Sequence, residues 1–134
     1  MLLPRLPCLV AVAALAAVTA VAGTGCGGTK DDRPPQWSFI SATIIEPSCA
    51  TVNCHSAITH QGGVDLSNAQ IGYETLVKNS GGMTFYVYPK YPQYSQLITL
   101  LNATGSLRMP PDNPLPQADI ALIEQWISDG ADPN

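Results

Sequence analysis

The sequence predicts an all-α domain of three or four short helices joined by long loops. Three observations predict it. Apolar residues recur at helical spacing in four separate segments of the body. Proline and glycine stand at the ends of those segments, where helices start and stop. Two proline- and glycine-bearing stretches, residues 49–64 and 103–115, carry no such period and read as loops.

Residues 1–25 precede the body and read as an export signal. Arg5 supplies one positive charge, and an apolar run from Leu9 to Ala22 follows, broken only by Thr19. That run suits a secretory signal and is too short to span a membrane as a helix. Gly23, Thr24 and Gly25 then lead into Cys26. A cysteine after small residues at this point resembles a bacterial lipobox, although Gly23 stands where an aliphatic residue is usual. The resemblance implies that Cys26 is lipidated and becomes the first mature residue. A lipid there would anchor the protein to the periplasmic face of a bacterial membrane without spanning it. The alternative is a soluble secreted or periplasmic protein. Residues 26–36 are polar, end in Pro34-Pro35-Gln36 and read as a tether.

The domain proper is residues 37–134. Trp37, Ile40, Ile44 and Ile45 lie at helical spacing, and Pro47 is expected to stop that helix. Ser67 is placed to cap a second helix through Ile71, Tyr73, Leu76 and Val77, ending near Gly81 and Gly82. Residues 85–88 read as a short extended stretch. A third helix over residues 94–101 turns Leu97, Ile98, Leu100 and Leu101 inward. The last starts at Pro116, carries Ile120, Ile123 and Ile127 with Leu122 and Trp126 beside them, and closes at Gly130.

Size and charge exclude several classes. A chain of 134 residues holds one domain, so a multidomain enzyme and a polytopic membrane protein are both out. Only 12% of residues are charged and the net charge is −4, so no basic face is available for nucleic acid. No serine or cysteine nucleophile has a plausible base, and the carboxylates are scattered, so no enzyme is expected. Short helices with long loops predict a thin core, to be completed by a disulfide, a metal or a cofactor.

Cys49-Ala50-Thr51-Val52-Asn53-Cys54-His55 is the most informative stretch. Two cysteines with a histidine directly after the second follow the logic of c-type haem attachment. Two thiols add across the haem vinyl groups, and the neighbouring imidazole lies under the iron. Four residues separate the cysteines here, where two are usual. Two other readings stand beside it. Cysteines of an exported protein commonly pair, and a Cys49–Cys54 disulfide would close a small loop. Zinc on Cys49, Cys54, His55 and His60 is a further one, made awkward by the adjacency of Cys54 and His55. Met109, in Arg108-Met109-Pro110-Pro111, stands in a rigid loop before the last helix and is a candidate second axial ligand. Met83 follows two glycines, and His60 is too near His55 to reach the opposite face of a haem.

In order along the chain come Cys54-His55, Gly62-Gly63-Val64-Asp65-Leu66-Ser67, Tyr73-Glu74-Thr75-Leu76-Val77, Ser95-Gln96-Leu97, Met109-Pro110, and Trp126-Ile127 with Gly130-Ala131. With these pieces, residues 37–131 resemble a small mono-haem class I cytochrome c domain. They are most similar to the planctomycete-type cytochrome c-like domains of exported bacterial lipoproteins. The resemblance implies one covalent haem c, thioether attachment at Cys49 and Cys54, His55 as proximal ligand and Met109 as distal ligand. It implies one-electron transfer to a redox partner protein, since both axial positions are filled. The haem-free chain is then expected to fold poorly. A non-haem structural or interaction lipoprotein stapled by a Cys49–Cys54 disulfide is the alternative from another class. An open-iron sensor or peroxidase-like site is a third. Tyr86, Tyr88, Tyr91 and Tyr94 form an aromatic-rich patch, read as pocket and loop packing or as a partner or glycan surface.

Overall fold

A computed structural model describes residues 31–78 and 86–134. Residues 1–25, expected to be an export signal, and Cys26, Gly81, Gly82, Met83 and Phe85 lie outside the described residues. Among those described the protein is all-helical, with four main helices and no strand.

The first helix, α1 (residues 37–49), has three parts. It is α-helical over Trp37–Ile40, widens to a π-helix over Ser41–Ile45, and closes as α-helix over Glu46–Cys49. Pro47 therefore does not stop it. The reason is the wide turn just ahead. The Glu46 N–H donates five residues back to the Ser41 carbonyl, which relaxes the usual conflict between a proline ring and the carbonyl four residues earlier. Cys49 thus becomes the last helical residue rather than part of a loop.

The second helix, α2 (residues 69–78), again passes from α over Ala69–Tyr73 to π over Glu74–Lys78. Its cap is Asn68, whose Oδ1 accepts from the Ile71 N–H at 3.0 Å. The expected cap, Ser67, is occupied one residue earlier, where its N–H donates to Asp65 Oδ1 at 2.9 Å. The third helix, α3, is Gln96–Leu101. It starts later than residue 94 because Pro92–Tyr94 forms a separate 3-10 turn. The Ser95 hydroxyl joins the two, accepting from the Tyr88 N–H and donating to the Tyr91 carbonyl. Leu97, Ile98 and Leu101 are buried, while Leu100 is only half-buried. The fourth, α4, is Gln117–Asp129, with Pro116 just outside it. It stops at Gly130, whose φ of +127° suits only glycine.

Residues 86–88 connect α2 and α3 without a partner strand. Val87 N–H donates to the Leu76 carbonyl and the Leu97 N–H to the Tyr86 carbonyl, so the segment is stitched to both neighbours.

The core runs between α1 and α4. Trp37 stacks on Trp126 with ring centroids 5.0 Å apart. Ile40, Ile44, Ile45, Ile123 and Ile127 fill the space around them, almost wholly buried. Gly72 of α2 lets that helix close on Trp37, since a Cβ there would stand 3.2 Å from the indole. The centre between α1 and α4 is filled by the chain's own side chains. The C-terminal tail is sewn on from three sides. Tyr73 Oη donates to the Ala131 carbonyl, Trp126 Nε1 to the Asp132 carbonyl, and the Ser38 N–H to the Asn134 carbonyl. The segment just ahead of α1 is also fastened. Arg33 pairs with Asp31 and reaches Asp119 at the start of α4, and Pro34 and Pro35 lie along Leu122 and Gln125. Among the described residues no helix is long and apolar enough to cross a membrane.

Candidate functional site

Cys49, at the C-terminal end of α1, opens the site. The next residues turn back on it: the Cys54 N–H donates to the Thr51 carbonyl at 2.9 Å, and the His55 N–H to the Cys49 carbonyl at 3.1 Å. Downstream, the Gln61 N–H donates to the Cys54 carbonyl and the Leu66 N–H to the His55 carbonyl. The loop is thus cross-tied by its own backbone, with Cys54 and His55 held at its centre.

Cys49, Cys54, His55 and Met109 line one cavity of about 270 Å³, with Ser48, Asn53, Gln61, Pro110 and Pro111. A second cavity of about 250 Å³ adjoins it and shares Ser48, Cys54, Pro110 and Pro111. The fold therefore brings together four residues that the sequence separates by as many as 60 positions.

His55 is oriented by its backbone neighbour. Its Nδ1 lies 3.3 Å from the Val64 carbonyl, which selects the tautomer with the proton on Nδ1 and leaves Nε2 as the ring's ligand atom. Met109 is fixed from the other side. Its N–H donates to the Leu100 carbonyl at 3.0 Å. Arg108 Nη2 donates to the Pro111 carbonyl at 2.8 Å, and Nε points to the Pro110 carbonyl at 3.4 Å. The guanidinium thereby braces the loop that carries the thioether.

The two cysteines are free thiols. Cys49 packs against the core, and burial, with the nearby Cys54 thiolate as a lesser cause, pushes its pKa up to about 11. Cys54 faces both cavities. His60 is turned away. It is 48% exposed, and its Nε2 lies 3.3 Å from Asp65, whose carboxyl is held low by hydrogen bonds from Ser67 and by His60. Among the described residues no three His, Cys, Asp or Glu side chains are grouped to hold a metal ion, so the four-ligand zinc set of Cys49, Cys54, His55 and His60 is not assembled. Tyr88, Tyr91 and Tyr94 pack ring against ring at 5.5 and 6.0 Å, and neither they nor Tyr86 line the cavity.

One imidazole, one thioether and two thiols line the same cavity, and these are the donor types that hold an iron porphyrin. The sequence named Arg108 only as a neighbour of Met109, not as the brace of its loop, and did not reveal the Val64 carbonyl. The only trace of the first is its place beside Met109-Pro110-Pro111; the second is a backbone atom and leaves none. No model of a known protein family matches the chain, and neither do the curated proteins or the solved structures.

Proposed function

We propose that the protein is a one-electron carrier, a mono-haem c-type cytochrome tethered by lipid on Cys26 to the periplasmic face of a bacterial membrane. The observation that carries this reading is the convergence of Cys49, Cys54, His55 and Met109 on one cavity. A haem held there would supply an Fe(III)/Fe(II) couple. Cys49 and Cys54 would hold its edge as thioethers. His55 would bind through Nε2, its ring aligned by the Val64 carbonyl. Met109 would bind from the opposite loop, and both segments would exclude water from the metal. With His55 and Met109 both bound to it, the iron would have no place for oxygen or substrate, in keeping with a carrier rather than an enzyme.

The test is an absorption spectrum, oxidised and dithionite-reduced, of protein produced with haem c maturation machinery, beside a denaturing gel stained for haem. Sharp reduced bands and stain surviving denaturation are expected. His55→Ala should abolish the spectrum, and Met109→Ala should alter it while the stain persists. A colourless protein without free thiols would overturn the reading and leave a lipoprotein stapled by a Cys49–Cys54 disulfide.

A further inference from the structure

The loop that leads from Met109 into α4 has little backbone support of its own. Met109 is fixed at its start, with its N–H on the Leu100 carbonyl. Beyond it, Pro110, Pro111 and Pro114 have no N–H to give. Among the described residues, no backbone hydrogen bond starts or ends between residues 110 and 115. The next along the chain joins the Asp119 N–H to the Pro116 carbonyl, where α4 begins. Residues 111–114 are exposed, and Leu115 is the first to be buried again. The only hydrogen bonds to the whole stretch come from one side chain. Arg108 gives Nη2 to the Pro111 carbonyl and Nε to the Pro110 carbonyl.

This is an uncommon use of a guanidinium. Arginine makes its strongest bonds to carboxylates, and among the described residues Arg108 pairs with none. Its charge is set instead on two neutral carbonyls. They belong to Pro110 and Pro111, which wall the candidate cavity beside Met109. One side chain thus holds the wall next to the thioether.

We propose that Arg108 is the positioning residue for Met109: its guanidinium latches the loop, and so decides whether the thioether keeps the sixth position on a haem iron or yields it to another ligand. The inference rests on the cytochrome reading above. A thioether is a soft, neutral donor, poorly matched to Fe(III). Its hold on the oxidised iron then depends on the loop that presents it, and groups that orient a ligand govern how well it binds.

The probe is imidazole, titrated into the oxidised, haem-loaded protein. Binding forms a bond from the imidazole nitrogen to Fe(III) and breaks the bond from the Met109 sulfur, with no electron transferred. The apparent affinity therefore reads how firmly the loop holds the thioether. It is followed by loss of the sulfur-to-iron charge-transfer band. Bonds from a charged donor are strong, but one of these is long and the other is open to water. Arg108→Ala is therefore expected to bind imidazole about tenfold more tightly. Arg108→Lys keeps the charge without the two-pronged fork and should bind it about threefold more tightly. It also carries the test should Arg108→Ala fail to load haem. In haem-free protein, the Met109 methyl NMR signal should sharpen in Arg108→Ala as the loop gains freedom. A role confined to stability would lower the thermal midpoint and leave imidazole binding alone. Imidazole affinity within twofold of the unaltered protein in both variants, or an unchanged Met109 methyl signal, would overturn the proposal. A protein that takes up no haem ends the cytochrome reading and this proposal together; a red protein whose imidazole affinity ignores Arg108 ends the proposal alone.

Discussion

Burial makes Cys49 an unreactive thiol despite its place at the edge of a cavity. Its pKa of about 11 keeps it protonated at neutral pH, and folding favours that neutral form. Raised above its unfolded value, the group adds stability that is complete below about pH 8.5 and lost as pH climbs toward 11. In haem-free protein at pH 8, iodoacetamide should therefore modify Cys49 about a hundredfold more slowly than an unperturbed thiol, read by mass spectrometry. Equal, rapid labelling of Cys49 and Cys54 would contradict the burial. Cys54, His55 and Met109 were legible as candidates because their chemistry is written in residue type and order. The braces on them were not. Arg108 acts on the backbone carbonyls of Pro110 and Pro111, and His55 is aligned by the carbonyl of Val64. Backbone acceptors are the same at every position, so no residue pattern marks which one is used.

At the scale of elements, the helices were legible and their ends were not. The stripe of Ile120, Ile123 and Ile127 set α4 almost to the residue, since a long amphipathic period overrides local ambiguity. α1 ran past Pro47 because a π-turn absorbed the proline, and nothing in the local sequence distinguishes that outcome from a stop. Asn68 took the cap expected of Ser67, whose side chain and N–H both bind Asp65 instead. The contact between α1 and α2 depends on one missing side chain. Gly72→Ala would put a methyl 3.2 Å from Trp37, whose own ring is held by stacking on Trp126 and by Nε1 donating to the Ala69 carbonyl. A loss of about 1–3 kcal/mol is expected, seen as a lower thermal midpoint. An unchanged midpoint would mean that the indole yields without cost.

Over the whole molecule, stability and candidate function occupy different regions. Trp37, Ile40, Ile44, Ile123, Trp126 and Ile127 are buried together in one core of the chain's own side chains. The cavity lies beyond it, between two loops. The sequence expectation of a chain that needs haem to fold followed from counting short helices, and the stacked indoles between α1 and α4 set a contrary expectation beside it. Hydrogen exchange separates the two cases. In haem-free protein α1 and α4 should stay protected, while residues 50–63 and 105–114 exchange quickly and slow only on haem loading. Fast exchange throughout α4 in the haem-free state would restore the original expectation.

The bond from the Ser38 N–H to the Asn134 carbonyl has a consequence for how the chain is strung. It brings the entry and exit of the domain to one spot on its surface. A short bridge could join them there, and the backbone could be opened instead in the 103–115 loop, without crossing the core. The packing of α1 on α4 would survive with α4 encoded first. The same adjacency lets the whole domain be set into a surface loop of a host protein as a cassette, held at its neck by its own two ends.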